Sequence, residues 1–396
     1  MTSSEISTSV SKTSSSTASS SSSAGATGLA AFDLRGGGGV VSSFKNCTAK
    51  PGAMCAIRGG SSFSGLGSSS VEYVAVSNPK KAAINIYAWG KSMPHIQCHI
   101  QEIATSICSD VHGAYLFAGC KSGQMVCWDL RTGEILKSWV AHYTSISRVE
   151  VSNCSSFVVS TSEDGTVKVW DLHSIVDLFL ATVHISNNTT KAFRSYSAHT
   201  MPIKGMALVG SHASTRVVTC SLDMKILIYD VYADTICLKA AFSSSLESVI
   251  CNCTEDTIFA GASNGKILIV DLTERAIALT AAHSQIVSLG TDGVGAISAS
   301  MSSLEKKKGY MSLEGHTRAV TALAVSIDNT TLVSASLDCS IRVWDTITRQ
   351  CLRESKPFNK SPLSNVSVFV SSDFFPLICC SLVFVDLFYG TMILKK

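Results

Sequence analysis

The stretch SEDGTVKVWDL, residues 162–172, sets an acidic turn at Asp164-Gly165 ahead of an alternating Val-Lys-Val-Trp run. Asp-Gly suits the backbone of a tight hairpin, and alternation sends Val167 and Val169 to one face, Lys168 and Trp170 to the other. The fold turns on whether this hairpin is isolated or one copy of a repeat. Relatives of it occur as SLDCSIRVWDT (336–346), SLDMKILIYDV (221–231), SNGKILIVDL (263–272) and KSGQMVCWDL (121–130). Two weaker copies lie upstream, KKAAINIYAWG (80–90) and ATGLAAFDLR (26–35), which makes seven in all.

Each copy is marked by its terminal aspartate: Asp33, Ala88 (where Asp is replaced), Asp129, Asp171, Asp230, Asp271 and Asp345. The successive differences are 55, 41, 42, 59, 41 and 74. Three fall at the roughly 40–45 residues of a four-stranded propeller blade. The other three are the same unit with inserted loop. A second pattern runs inside the copies. His142 precedes Asp164 by 22 residues and Asp164 precedes Trp170 by 6; His316, Asp338 and Trp344 repeat those intervals. His199, Asp223 and Tyr229 give 24 and 6.

A His in one loop, a Ser on a strand (Ser160 or Ser162; Ser334 or Ser336), an Asp in a turn and a Trp on the next strand can form one buried polar chain. Each member then satisfies another's hydrogen bonds, as burial requires. The same residue types could form a Ser-His-Asp catalytic set. Recurrence at the repeat spacing argues against that, because a catalytic site needs no copies. The expected role of His142, Asp164, Trp170, His199, Asp223, His316, Asp338 and Trp344 is therefore structural.

Through GHTRAV (315–320), SEDGTVKVWDL and SLDCSIRVWDT, the chain resembles the WD-repeat β-propeller family. The resemblance covers roughly residues 28–371. It implies an all-β, seven-bladed WD-repeat β-propeller. The order of the blades is more narrowly similar to the WD-repeat subunit of the rixosome, whose plant members are the ROOT INITIATION DEFECTIVE proteins. The carrying features are a degenerate first copy, GLAAFDLRGG, and a second ending in INIYAWGK. GCKSGQMVCWDLRTGEILKSWVAHY then precedes STSEDGTVKVWDLHSIVDL, and an extension follows that ends in SYSAHTMPIKGMAL.

Composition sets limits. The chain has 396 residues, 46% of them hydrophobic, enough for a large core; a repeat array of this length can be a single domain. A net charge of +3 is too small to argue for an electrostatic nucleic-acid binder and leaves direct nucleic-acid contact open. The compact basic cluster Lys306-Lys307-Lys308 reads as a solvated loop. The 15 cysteines contain no CxxC pair and no Cys/His metal spacing. They read as reduced small hydrophobes, which implies cytosol or nucleus. MTSSEISTSV offers neither a basic nor an apolar segment of a secretory signal, so triplets such as those at Asn153 and Asn329 read as accidental. GGGG at 36–39 lacks the Gly-Lys-Ser/Thr of a phosphate loop and reads as a permissive turn.

Residues 1–27, almost wholly Ser, Thr, Ala and Gly, are expected to be a disordered tail, since they cannot bury enough apolar surface to offset ordering entropy. Residues 28–371 are expected to form the propeller. Strands in blade four are placed at about 146–152, 157–162, 166–172 and 192–199, and in blade seven at about 319–326, 331–337, 340–346 and 350–356. Blade six is placed at about 246–283. The segments 173–191 and 284–314 are read as surface insertions of the kind that carry partners. Segments 28–34 and 39–46 are assigned to the inner part of blade one, with Asn365–Ser371 supplying its missing strand, because an unclosed ring leaves sheet edges unpaired. The apolar remainder, 372–396, departs from the polar, helical extension the resemblance implies and reads as a truncated or misjoined end. Its uncharged run between Asp373 and Asp386 is twelve residues and holds Pro376, against roughly 20 for a bilayer span, so no membrane anchor is expected.

No paired carboxylates, metal spacing or nucleophile elbow stands out, so no enzyme, cofactor or metal is expected, and no small-molecule substrate. The resemblance implies a non-catalytic scaffold in a nuclear pre-ribosome processing complex. Its partners would be the rixosome scaffold subunit, the AAA ATPase midasin and the large-subunit pre-ribosome. Its place would be the nucleolus and nucleoplasm, and its task would be removal of the internal transcribed spacer. The alternative is a substrate receptor of a cullin-RING ubiquitin ligase, because Trp128-Asp129-Leu130-Arg131 resembles the docking box of such receptors.

Overall fold

The computed structural model describes residues 28–33, 40–45, 49–58, 71–88, 91–181, 190–210, 214–272, 287–288, 311–326, 328–356, 363–371, 380–387 and 390–395. The strands form seven sheets. Blade two comprises Met54–Arg58, Val71–Ser77, Ala83–Ala88 and Ile96–His99; blade three comprises Ala104–Ser109, Tyr115–Cys120, Gln124–Asp129 and Ile135–Val140. Blade four follows with Ile146–Val151, Phe157–Ser162, Val167–Asp171 and Arg194–Tyr196, and blade five with Ile203–Val209, Arg216–Ser221, Lys225–Asp230 and Thr235–Ala241. Blade seven is Val320–Val325, Thr331–Ser336, Ile341–Asp345 and Cys351–Ser355. From blade two round to the closing blade the first strand of each lies beside the first strand of the next, and together they form the inner ring.

In blades three to six both faces of the sheet are covered by a neighbouring blade. All six residues of Phe157–Ser162 are buried. Val159, Val167 and Val169 pack with Ile203, Met206 and Leu227 of blade five. Val158 and Trp170, on the opposite face, pack with Phe117, Met125 and Trp139 of blade three. The alternation read from VKVW thus divides side chains between two neighbours. Each fully buried side chain of this size contributes about 1.5–3 kcal/mol relative to exposure.

Blade six departs from its expected span. Its strands are Leu246–Cys251, Thr257–Ala262, Ile267–Asp271 and Met311–Leu313. The fourth strand lies within the 284–314 segment, so the insertion falls between the third and fourth strands. Leu313 is buried and Ser312 exposed, and such a three-residue alternation is too short to stand out in sequence. Part of the same insertion, Val287–Ser288, pairs in parallel with Ala240–Ala241 on the outer edge of blade five. The other insertion also lies between third and fourth strands. It begins as a helix, Leu172–Ala181, and not as the loop expected of 173–191. Leu172 and Ile175, three apart and so on one helical face, are buried with Trp139 and Trp170. Residues 1–27, the glycines at 36–39 and Lys306–Lys308 lie outside the described residues.

Closure also differs from expectation. The closing sheet runs Val40–Lys45, Gly28–Asp33, Gly390–Lys395, Cys380–Leu387, Leu363–Ser371, from outside to inside. The amino-terminal segments are therefore the outer strands of blade one. Leu363–Ser371 is the inner strand, against Val320–Val325 of blade seven. The propeller does not end at 371: Cys380–Leu387 pairs along Leu363–Ser371, and Gly390–Lys395 pairs with both Cys380–Leu387 and Gly28–Asp33. An inner strand alone would leave an open edge, and the apolar tail covers it. On the blade-two side Asn365 is the clamp. Its Nδ2 donates to the Lys50 carbonyl at 2.7 Å, and its Oδ1 accepts from Gly52 N at 2.5 Å.

Deleting 357–396 should cause aggregation or fraying of 28–45. Deleting 374–396 should lower the melting temperature by a smaller but clear amount, because it strips two of the five strands. A short truncation that melts like the full chain would mean that 380–395 adds nothing to closure.

Candidate functional site

The polar residues that recur between copies meet in three places. In blade seven, His316 Nε2 lies 2.7 Å from Ser334 Oγ, and Trp344 Nε1 donates to the same Oγ at 2.9 Å. His316 Nδ1 lies 3.0 Å from Asp338 Oδ2 and 2.9 Å from Ser340 Oγ. Asp338 also accepts from the backbone amides of Thr317 and Ser340 at 3.0 and 2.9 Å. Burial works against ionising Asp338, but the hydrogen bonds from His316, Ser340 and Thr317 prevail and hold its carboxyl well below the usual range.

Blade four has a different arrangement. His142 Nε2 meets Ser160 Oγ at 2.8 Å, and Trp170 Nε1 donates to that oxygen at 2.9 Å. His142 Nδ1, however, bonds Thr166 Oγ1 at 2.8 Å, and Thr166 Oγ1 reaches Asp164 Oδ1 at 2.6 Å. Asp164 Oδ2 stays 3.6 Å from the imidazole. A threonine hydroxyl that the repeat spacing does not reveal thus relays between the His and the Asp. Burial pushes the His142 imidazole down to about 4, the Asp164 charge only partly opposing it and Lys168 adding to the effect. In blade five His199 bonds Asp223 Oδ2 at 2.9 Å and Thr219 Oγ1 at 2.8 Å. Of the strand serines, Ser160 and Ser334 join the sets; Ser162 and Ser336 donate to the Ser145 and Arg318 carbonyls at 2.9 and 3.0 Å.

The turns lock one blade to the next. Gly165, at φ +78°, sits under the His199 loop, where a Cβ would come within 2.7 Å of the His199 carbonyl oxygen. Both imidazole nitrogens of each set are hydrogen-bonded, and none faces open space for a substrate. We take the three sets to be braces of the blade rims.

In the tetrapeptide Trp128-Asp129-Leu130-Arg131, Trp128 is buried in a core cluster. Asp129 Oδ1 accepts from Arg131 N at 2.8 Å and closes its own turn. Arg131 has its side chain 77% exposed, so it is the member open to a partner. Among the described residues no group of three or more His, Cys, Asp and Glu could hold a metal, and twelve cysteines are free.

A surface feature that the sequence did not signal lies on the rim where both insertions leave the ring. Phe193 and Tyr232, each 44% exposed, flank Phe157 at ring distances of 5.4 and 5.5 Å. Arg194 covers Phe193 at 5.0 Å and pairs with Asp234 at 3.1 Å. Aromatic side chains with an arginine are the residue types enriched where partners dock.

The WD domain, G-beta repeat family matches residues 133–171, 190–230 and 307–345. Those are the stretches that carry the three His–Asp sets. Among curated proteins, the chain is 25% identical over 347 residues to "Pre-rRNA-processing protein IPI3" of Scheffersomyces stipitis, covering 76% of this chain and 66% of that one. It is 27% identical over 268 residues to "WD repeat-containing protein 18" of Danio rerio, covering 67% and 55%. It is 26% identical over 289 residues to "Pre-rRNA-processing protein pro-1" of Caenorhabditis briggsae, covering 72% and 49%. The chain thus spans about half to two thirds of the length of the curated relatives it matches.

Two outcomes follow. Asp338→Ala should cost about 1–3 kcal/mol, since it removes the acceptor of the Thr317 and Ser340 amides and one partner of His316, and urea unfolding would measure it. The second concerns pH. The unfolded histidine takes up a proton near pH 6.5, which native His142 refuses until about pH 4, so stability should fall as pH drops through that window. The urea midpoint should decline from about pH 7 to pH 5, and His142→Gln should flatten the decline.

Proposed function

We propose that this chain, a WD-repeat propeller of the rixosome type, is a non-catalytic subunit that supports pre-rRNA processing and maturation of the large ribosomal subunit. The observation that carries the reading is the alignment of 72–80% of the chain with proteins named for pre-rRNA processing. The geometry supports it from another side. In each of the three His–Asp sets both imidazole nitrogens are hydrogen-bonded inside the protein, which supports a scaffold role. Binding uses the rim between the two insertions, where Phe193 and Tyr232 stand out.

The finer parts of the proposal come from the family resemblance. The chain works in the nucleolus and nucleoplasm. It binds the scaffold subunit of the complex, and through it the AAA ATPase midasin and the large-subunit pre-ribosome, and it supports removal of the internal transcribed spacer. The ligase-receptor reading retains one exposed residue of its box, Arg131, because the other polar member serves its own turn.

Depletion should accumulate spacer-containing precursor RNA and lower free large subunits, with small subunits little affected; northern blots and sucrose gradients measure both. Normal processing after full depletion would overturn the role. A Phe193→Ala, Tyr232→Ala double variant should keep its circular dichroism and lose co-purifying pre-ribosomal proteins. Full recovery of those proteins would move the docking surface elsewhere.

A further inference from the structure

The bore of the ring is a cavity of about 510 Å³ to which the first strands of all seven blades contribute. In six blades the register of that strand shifts after its first residue, and the residue after the shift faces the bore. Five of these residues are short: Ser106, Gly205, Ser248, Ala322 and Asn365. The sixth is Arg148. Its side chain crosses the bore to Gly52 of blade two, where a Cβ would lie 2.5 Å from Nη1 and 2.9 Å from Cδ. The guanidinium therefore closes one end of the cavity, whose remaining wall extends toward the turn holding Asn153.

Two residues along the same strand, on the same face, stands Glu150. These two charges do not pair with each other. Arg148 Nε donates to the Lys204 carbonyl at 3.2 Å, and Glu150 Oε2 accepts from Leu208 N at 3.0 Å. The neutral polar groups at this level are spoken for. Asn365 holds Lys50 and Gly52; Ser106 Oγ donates to the Gly52 carbonyl and accepts from Val149 N; Ser248 Oγ donates to the Val320 carbonyl. Both residues line the cavity, and among the described residues the terminal guanidinium nitrogens and Glu150 Oε1 make no hydrogen bond. Opposite charges held apart in a protein interior recover only part of their desolvation cost. Burial lifts Glu150 to about 7 and lowers Arg148, and the charge of each partly opposes the shift of the other.

We propose that the bore binds a small zwitterion of free amino-acid or dipeptide size, its carboxylate on the Arg148 guanidinium and its ammonium on the Glu150 carboxylate. The volume falls within the roughly 300–1,000 Å³ of small-molecule sites. Alternate residues of a strand are spaced about 6.6 Å apart, which separates the two partners along the bore and selects a ligand with its own charges set apart. A guanidinium fork is suited to grip a carboxylate through two parallel hydrogen bonds. Ala207 and Ala324 leave room beside the charged pair.

The full chain is titrated with the common free amino acids and with glycylglycine, by calorimetry and by thermal shift. At least one should bind saturably and raise the melting temperature. Its affinity should fall by about tenfold or more in Arg148→Gln and, separately, in Glu150→Gln. The N-acetylated and the amidated derivatives of that probe should each fail to bind. Binding by none of the probes would overturn the proposal and leave the bore to water. Equal binding of the capped derivatives, or undiminished binding in both variants, would also overturn it. The capped derivatives are compared on the unaltered protein, so the outcome does not depend on either variant folding.

Discussion

The structure depends on closing the ring. Each sheet buries both faces only while it has a neighbour on either side, and a gap at one joint would expose two apolar faces and an edge. No local turn can make that joint, because its partners lie at opposite ends of the chain. Asn365 makes it with one side chain, binding the Lys50 carbonyl and the Gly52 amide across more than 300 residues. A side-chain amide suits the task because it donates and accepts at once and so reproduces the two bonds that a strand neighbour would give. The inner ring, the bore and the alignment of every rim follow from this joint. It is also entropically slow to form, since the contact spans more than 300 residues of chain.

What was legible in the sequence was local. Asp164-Gly165 and its counterparts reveal turns, and the Val-Lys-Val-Trp alternation reveals strands, because both are determined by neighbouring residues. The His–Asp spacing was legible for the same reason, repeated one blade apart. The Thr166 relay was not: it shows only when the distance from His142 to Asp164 is known, and blade seven carries Ser340 at the corresponding place with a direct His–Asp contact. The closing blade was misread in the order of its strands. Residues 380–395 hold Val385-Asp386-Leu387, the ending that Val270-Asp271-Leu272 has in blade six, but no Asp-Gly or Asn-Gly turn precedes it, and their role is defined by pairing with Gly28–Asp33 and Leu363–Ser371. Met311–Leu313 was missed because a three-residue strand carries too little pattern to compete with the apolar run near 274–283.

The His–Asp sets also explain what a search for repeats can see. The three matched stretches are those in which an imidazole bonds a strand hydroxyl on one side and an acid, or its threonine relay, on the other. Buried polar groups carry strict geometric demands, so they keep a fixed spacing wherever they recur. Blades two, three and six show no such set among the described residues, and most of their strands lie outside the match, yet they pair their strands as the others do. The repeat motif is therefore a record of how blade rims are braced, and it is silent about partners.

Function has to be sought in what does not recur. A ring of similar blades presents each structural need several times over, so a residue that answers such a need has equivalents around the ring. Arg148 has none: five equivalent positions hold Ser, Gly, Ala or Asn, and a long charged side chain at one of them is not needed to pack the bore. Phe193 and Tyr232 form an exposed aromatic pair beside an insertion that the regular blades three and seven lack. Neither feature is stabilising in an obvious way, since one strands a charge in the interior and the other exposes aromatic surface to water. A fold that tolerates both costs has room for two separate ligands, a protein surface on the rim and a small charged molecule in the bore. The rim and bore need not act together, because the braced sheets between them can hold either site unchanged while the other is filled.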